Sequence, residues 1–130
     1  MIAGIGVDIV EVARMEQALE RFGDKFAQKV LAPEEWPDFE AAGRPAAFLA
    51  KRFAAKEAFG KAFGTGIRAP AKFHAIRVDR DALGKPFFRF GAELGETLER
   101  RGVHRHHLSI TDERLAAVAM VVLEAMEDSR

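Results

Sequence analysis

Three stretches of this sequence hold side chains whose types and spacing can do chemistry. In Gly6-Val7-Asp8-Ile9-Val10-Glu11, followed by Arg14, a carboxylate stands near glycine. Phe53-Ala54-Ala55-Lys56-Glu57-Ala58 runs on through Lys61-Ala62-Phe63-Gly64-Thr65-Gly66 and sets Glu57 and Lys61 four residues apart, on one face of a helix. His107-Leu108-Ser109-Ile110-Thr111 lies near the C-terminus. Each stretch by itself also has a plain structural use. Glu57 and Lys61 read as a surface ion pair worth about 0.3–0.5 kcal/mol, and Asp8 as a cap for the turn that follows. Gly64-Thr65-Gly66 reads as a helix terminator; it is not a P-loop, because the Gly-x-x-x-x-Gly-Lys-Ser/Thr spacing is absent and the glycines follow a helix. His104, His106 and His107 form a run that can bind metal, but no second ligand cluster accompanies it, and a solvated strand start is the simpler use.

The elements that must position these groups follow from periodicity. Residues 2–9 predict a strand with Ile5, Val7 and Ile9 on one face and Gly4, Gly6 and Asp8 on the other, leaving room beside the carboxylate. Met15, Leu19, Phe22 and Phe26 predict a helix over 12–29, with Gly23-Asp24 as a point where it can break. A short acidic turn or helix surrounds Trp36. A long helix is predicted from about Pro45 to Phe63, with Phe48, Ala55, Phe59 and Ala62 as its buried stripe. Strands at Phe73–Asp79 and Phe87–Phe90 flank turn chemistry at 81–86 and predict a hairpin. A short helix over Glu93–Arg101 precedes a last hairpin, His107–Thr111 with Leu115–Leu123. The final strand is apolar on both faces, as suits a central strand or one pressed against another subunit, although its Leu, Ala and Met also suit a helix. Strand, helices, strands, helix, strands is the order of an α+β fold with an antiparallel sheet packed on a long helix and shorter ones.

Composition narrows the function classes. The 130 residues fit one domain, 1–130. Lys and Arg number 20, as do Asp and Glu, which argues against a globally basic nucleic-acid binder. The absence of cysteine removes disulfides, thiolate metal sites and thiol catalysis, and is compatible with a cytoplasmic protein. Asp8 and Glu11 interrupt the apolar N-terminus, so it does not read as a signal peptide, and no stretch approaches the ~20 apolar residues of a membrane span.

Taken together, the three stretches resemble the holo-acyl-carrier-protein synthase family of phosphopantetheinyl transferases. Gly6-x-Asp8-Ile9-Val10-Glu11 is similar to that family's first motif, and Phe53-x-x-Lys56-Glu57-Ala58-x-x-Lys61-Ala62 with Gly64-Thr65-Gly66 to its second. Leu83-Gly84-Lys85-Pro86 is similar to its central turn. The order and length match across essentially the whole chain. The resemblance implies transfer of the phosphopantetheine arm of coenzyme A to a serine of acyl carrier protein, in support of fatty acid biosynthesis. It implies a homotrimer with active sites at subunit interfaces and Mg2+ held by Asp8 and Glu57. That fits magnesium's preference for one or two carboxylates plus substrate phosphates. Lys61 is implied as a phosphate contact that assists the leaving group, and Glu57 as acceptor of the serine proton, directly or through a magnesium-bound water.

For coenzyme A, the candidate contacts are Arg52, Lys61, Gly64, Thr65, Gly66, Lys85, Pro86, His107 and Ser109, with Arg44 and Lys51 as further candidates for its 3′-phosphate. An acidic carrier calls for a basic surface, and Arg14 and Arg21 on the first helix are expected to supply it around an apolar centre of Met15 and Phe22. Many family members carry a histidine just after the Ser-x-Thr strand end. Asp112-Glu113 stands there instead, and Asp112 is not assigned that histidine's role. The competing reading is a non-catalytic domain that binds coenzyme A or carrier protein. It does not require Asp8 and Glu57 together.

Overall fold

The computed structural model describes residues 1–127; the end of the expected domain, residues 128–130, lies outside the described residues. The chain runs β1 (Ile2–Glu11), α1 (Val12–Phe22), α2 (Asp24–Val30), a 3₁₀ turn at Pro33–Glu35, α3 (Trp36–Ala41) and α4 (Pro45–Phe63). After a second 3₁₀ turn at Phe73–Ala75 come β2 (Ile76–Arg80), β3 (Pro86–Phe90), α5 (Ala92–Arg100), β4 (Val103–Asp112) and β5 (Ala116–Ala125). The expected helix over 12–29 does break at Gly23, whose φ of 63° no helix accepts. The strand expected at Phe73–Asp79 instead starts at Ile76, because Phe73–Ala75 coils into the 3₁₀ turn.

Two antiparallel sheets result. One has the order β1-β5-β4, so the doubly apolar last strand is central, and the other is the β2-β3 hairpin. Ala117, Ala119, Val121 and Leu123 of β5 are buried. Helix α4 is the axle of the fold. It is covered nearly all round, with Ala47, Leu49, Ala50, Phe53, Ala54, Ala55, Ala58, Phe59, Ala62 and Phe63 buried. The single stripe expected from its sequence is thus too narrow, and Phe48 on that stripe is only half-buried. A helix apolar on every side must have neighbours on every side.

The packing of β1 on α4 decides where Asp8 goes. A Cβ built on Gly4 would stand 1.9 Å from the Ala62 carbonyl oxygen, and one on Gly6 would stand 2.0 Å from that of Ala58. Two strand residues advance about 6.7 Å and four helix residues about 6 Å, so each step of two along β1 meets one turn of α4. Strand and helix therefore run antiparallel in near-matched register, backbone to backbone. The space expected beside Asp8 is filled by the helix, because the missing side chains let it in.

The other face of the sheet is bare. Ile5 (65%), Val7 (56%) and Ile9 (67%) of β1 are more than half exposed. Across the sheet they pair with Val122, Met120 and Val118, which pair in turn with His107, Ser109 and Thr111 of β4.

Because the β1–α4 contact has no room for a methyl group, Gly6→Ala is expected to cost about 3 kcal/mol or more in chemical denaturation. Gly43→Ala, where a Cβ meets nothing within 4 Å, should stay within about 0.5 kcal/mol of wild type.

Candidate active site

The register of β1 on α4 sets the Asp8 carboxylate against the last turns of the helix. Lys61 Nζ donates to Asp8 Oδ1 at 3.1 Å and to the Val7 carbonyl at 3.0 Å. The expected Glu57–Lys61 surface pair does not form. Lys61 turns to the strand instead, and Glu57 has no hydrogen-bond or ion-pair partner among the described residues. Burial pushes the Glu57 carboxyl above its usual range, and the Asp8 charge pushes the same way, against Lys61 and Arg14. The site thus holds two carboxylates that feel each other, with a lysine and an arginine beside them. Among the described residues no third His, Asp or Glu joins such a group. This donor set suits a hard dication that draws its remaining oxygens from water and a bound phosphate.

Just beyond Lys61 the helix ends at Gly64 (φ 105°). Gly64 and Gly66 both donate their N–H to the Gly60 carbonyl, at 2.9 and 3.0 Å. Gly60 lets the loop fold back this closely, since a Cβ there would meet Gly66 at 2.8 Å. The result is an exposed Gly64-Thr65 turn at the Lys61 end of the carboxylate pair.

The remaining expected residues divide. Lys85 is exposed at the end of the β2-β3 turn with Pro86 half-buried behind it, and both line a cavity of about 200 Å³ together with His107. His107 and Ser109 project from the bare face of the sheet, His107 Nε2 lying 3.2 Å from Glu124 Oε2. The sheet therefore separates them from the Asp8 side in one chain. Arg44 and Lys51 make no ion pair among the described residues. Arg14 is exposed, with its guanidinium 5.2 Å from the centre of the Phe53 ring. Arg21 lies over the ring of Phe22, which is 55% exposed.

Two expectations fail. Met15 is 1% exposed and belongs to the core, so it offers a carrier no surface. Arg52 is 3% exposed, lies over Phe48, and donates to Glu35 Oε2 at 3.1 Å and Asp38 Oδ2 at 3.3 Å. It is committed to the fold and is not free to reach a coenzyme phosphate.

Arg52 belongs to a buried network that sequence reasoning missed. Lys56, fully buried, donates to the Val30 carbonyl (2.6 Å), Glu35 Oε1 (2.5 Å) and the Phe73 carbonyl (2.9 Å). These use all three ammonium donors. Glu35, 2% exposed, accepts from Ala32 N, Lys56, Arg52 and Val78 N, filling both oxygens. Burial holds the Lys56 ammonium down to about 8, even with Glu35 opposing. The signal was present: a lysine among buried alanines must have a buried acceptor, and Glu35 sits in an acidic run beside Trp36.

The profile of the 4'-phosphopantetheinyl transferase superfamily matches residues 4–119. The holo-[acyl-carrier-protein] synthase of Nitrosomonas europaea is 56% identical over 124 residues, which cover 95% of this chain and 99% of that protein. Among solved structures, the holo-[acyl-carrier-protein] synthase of Neisseria meningitidis superposes with a TM-score of 0.93 at 50% identity, over 95% of this chain and 99% of that one. The Bacillus anthracis holo-(acyl-carrier-protein) synthase, in complex with CoA (3',5'-ADP), gives a TM-score of 0.81 at 41% identity, over 97% of this chain and 99% of that one. The α+β architecture is that of this fold family.

A carboxyl whose folded pKa stands above its unfolded value favours the fold in its protonated form. That contribution is complete below the unfolded value of 4.5 and is lost as pH rises through the folded one. Ionised Glu57 therefore weighs against the fold at neutral pH. Glu57→Gln should melt at or above the wild-type temperature at neutral pH in the presence of a chelator. A clearly lower melting temperature would make Glu57 a structural carboxylate.

Proposed function

Because the chain belongs to the 4'-phosphopantetheinyl transferase superfamily, among its holo-[acyl-carrier-protein] synthases, we propose that it transfers the phosphopantetheine arm of coenzyme A to a serine of apo acyl carrier protein. The convergence of Asp8, Glu57 and Lys61 carries this reading, and the coenzyme complex of the Bacillus anthracis relative supports coenzyme A as the donor. Residues 1–130 act as one transferase domain. The place of action is the cytoplasm, in service of fatty acid biosynthesis; no helix among the described residues is long and apolar enough to cross a membrane.

Asp8 and Glu57 would hold Mg2+, which when bound supplies positive charge to the pyrophosphate oxygens. The serine Oγ attacks the β-phosphorus, a new P–O bond forms, and the bridging P–O bond breaks to release adenosine 3′,5′-bisphosphate. Glu57 accepts the serine proton, directly or across one water. Lys61 neutralises charge building on the departing phosphate, and the Gly64-Thr65-Gly66 turn borders the same phosphates.

Lys85, Pro86, His107 and Ser109 complete the coenzyme site, with Arg44 and Lys51 toward the 3′-phosphate. Within one chain the sheet stands between His107 or Ser109 and the carboxylates. A homotrimer that buries Ile5, Val7, Ile9 and Met120 brings one chain's outer sheet face to the next chain's site. Arg14, Arg21 and Phe22 form the carrier-docking patch. Arg14 is near enough to bias the Glu57 charge, so docking there delivers the carrier's serine to the base.

The test is intact-mass measurement of apo carrier after incubation with the protein, coenzyme A and magnesium. The expected result is a gain of one phosphopantetheine arm, abolished by chelator, and slowed about 100-fold or more in Asp8→Asn and Glu57→Gln. Arg14→Ala should raise KM for the carrier roughly tenfold, the scale of one close charge pair. No mass gain on folded carriers, or full turnover by either carboxylate variant, would overturn the assignment.

A further inference from the structure

The two sheets meet where the β2-β3 hairpin passes the edge strand β4. Among the described residues a single hydrogen bond crosses from β3 to β4: the Phe88 N–H donates to His106 Nε2 at 3.0 Å. The imidazole fits against Phe88 and Phe90, with both ring centres 5.3 Å away, and these two rings rest on Phe59 of α4 at 5.4 and 5.1 Å. His106 is thus half-buried and reaches inward, while its neighbour His107 projects outward. The same seam bounds the cavity that carries Lys85 and Pro86 on one wall and His107 on the other.

We propose that His106 is a positioning residue for coenzyme binding: by accepting the Phe88 N–H it locks the hairpin to β4 and sets the distance between Lys85-Pro86 and His107 across the cavity. The proposal rests on the reading of that cavity as part of the coenzyme site. The hairpin end has few other anchors on the β4 side, so loss of this bond frees Lys85 and Pro86 to drift relative to β4. Because Nε2 is the acceptor, only the neutral imidazole can make the bond; an added proton would point an N–H at another N–H. Burial, then the charge of His107, holds the ring below its usual range, which keeps it neutral near physiological pH. Asp81 and Lys85 of the hairpin, Glu99 of α5, and His104, Arg105 and His107 of its own strand are the charged or titratable groups around it. None of them hydrogen-bonds the ring.

The test compares steady-state kinetics of wild type, His106→Leu, His106→Gln and Lys85→Ala, with saturating carrier and varied coenzyme A. His106→Leu keeps bulk but orphans the Phe88 N–H, and should raise KM for coenzyme A roughly fivefold to tenfold, while kcat and KM for the carrier change less than about twofold. His106→Gln retains an uncharged acceptor and should restore KM to within about twofold of wild type. Wild-type KM for coenzyme A should climb as pH falls from about 8 to about 5.5, and that of His106→Gln should climb less. Should His106→Leu fail to fold, the pH comparison between wild type and His106→Gln decides by itself. Lys85→Ala raising KM beside an unchanged His106→Leu, or identical pH profiles for wild type and His106→Gln, overturns the role of His106 alone. Lys85→Ala leaving KM for coenzyme A unchanged refutes the cavity as a coenzyme site, and the proposal with it.

Discussion

The contact between β1 and α4, made without side chains, is the constraint on which the rest of the structure depends. Carbonyl oxygens of Ala62 and Ala58 occupy the space where Cβ atoms of Gly4 and Gly6 would lie. This approach, closer than any packed pair of side chains allows, brings Asp8 in β1 beside Lys61 in α4. Glycine here contributes an absence of volume. That absence brings the carboxylates of two sequence-distant elements close to each other, with Lys61 paired to Asp8. The electrostatic result is visible in Glu57, whose carboxyl is raised by burial and by Asp8. A fold selected for stability alone would place no uncompensated carboxylate there.

The opposite side of α4 is held by different physics. Lys56 follows buried Ala55 and precedes Glu57, and its side chain goes inward to Glu35 and two backbone carbonyls. It ties the end of α2, the Pro33–Glu35 turn and the Phe73 segment to the helix. Phe73 then packs on Phe53, and Arg14 lies over Phe53. Adjacent residues of one helix thus face opposite ways: Lys56 fixes the scaffold that presents Arg14, and Glu57 turns toward the Asp8 carboxylate. Every donor and acceptor of the Lys56–Glu35 pair is satisfied, the condition under which a buried ion pair is tolerated. Removing either partner would leave a buried charge alone.

Much of this was legible in residue order. Alternation in β1, the turn chemistry at 81–86, the glycines after α4 and the doubly apolar β5 each gave their element, because these signals act over a few residues. Asp8, Glu57 and Lys61 were legible as a constellation through resemblance to a family. What escaped depends on contacts made far along the chain. The spacing of Glu57 and Lys61 says only that they share a helix face; it cannot say that Asp8, 53 residues away from Lys61, captures the ammonium. Arg52 looked available for phosphate because its partners lie in other elements, Glu35 in the 3₁₀ turn and Asp38 in α3. Met15 and Phe22 share the first helix, and rotation about its axis, set by packing on α4, buries the one and exposes the other. Alternation in β1 says that Ile5, Val7 and Ile9 share a face but not which face meets α4; the glycine face does, leaving those three exposed.

If the β1–α4 register brings Asp8 and Glu57 together for a purpose, that purpose is a single cation site shared by the two carboxylates. Titration of manganese(II), a paramagnetic substitute for magnesium, tests it most directly, with the free-ion EPR signal followed in the presence of coenzyme A. One coenzyme-dependent site per chain is expected, lost in both Asp8→Asn and Glu57→Gln while each variant remains folded. Undiminished manganese binding by both variants would contradict it.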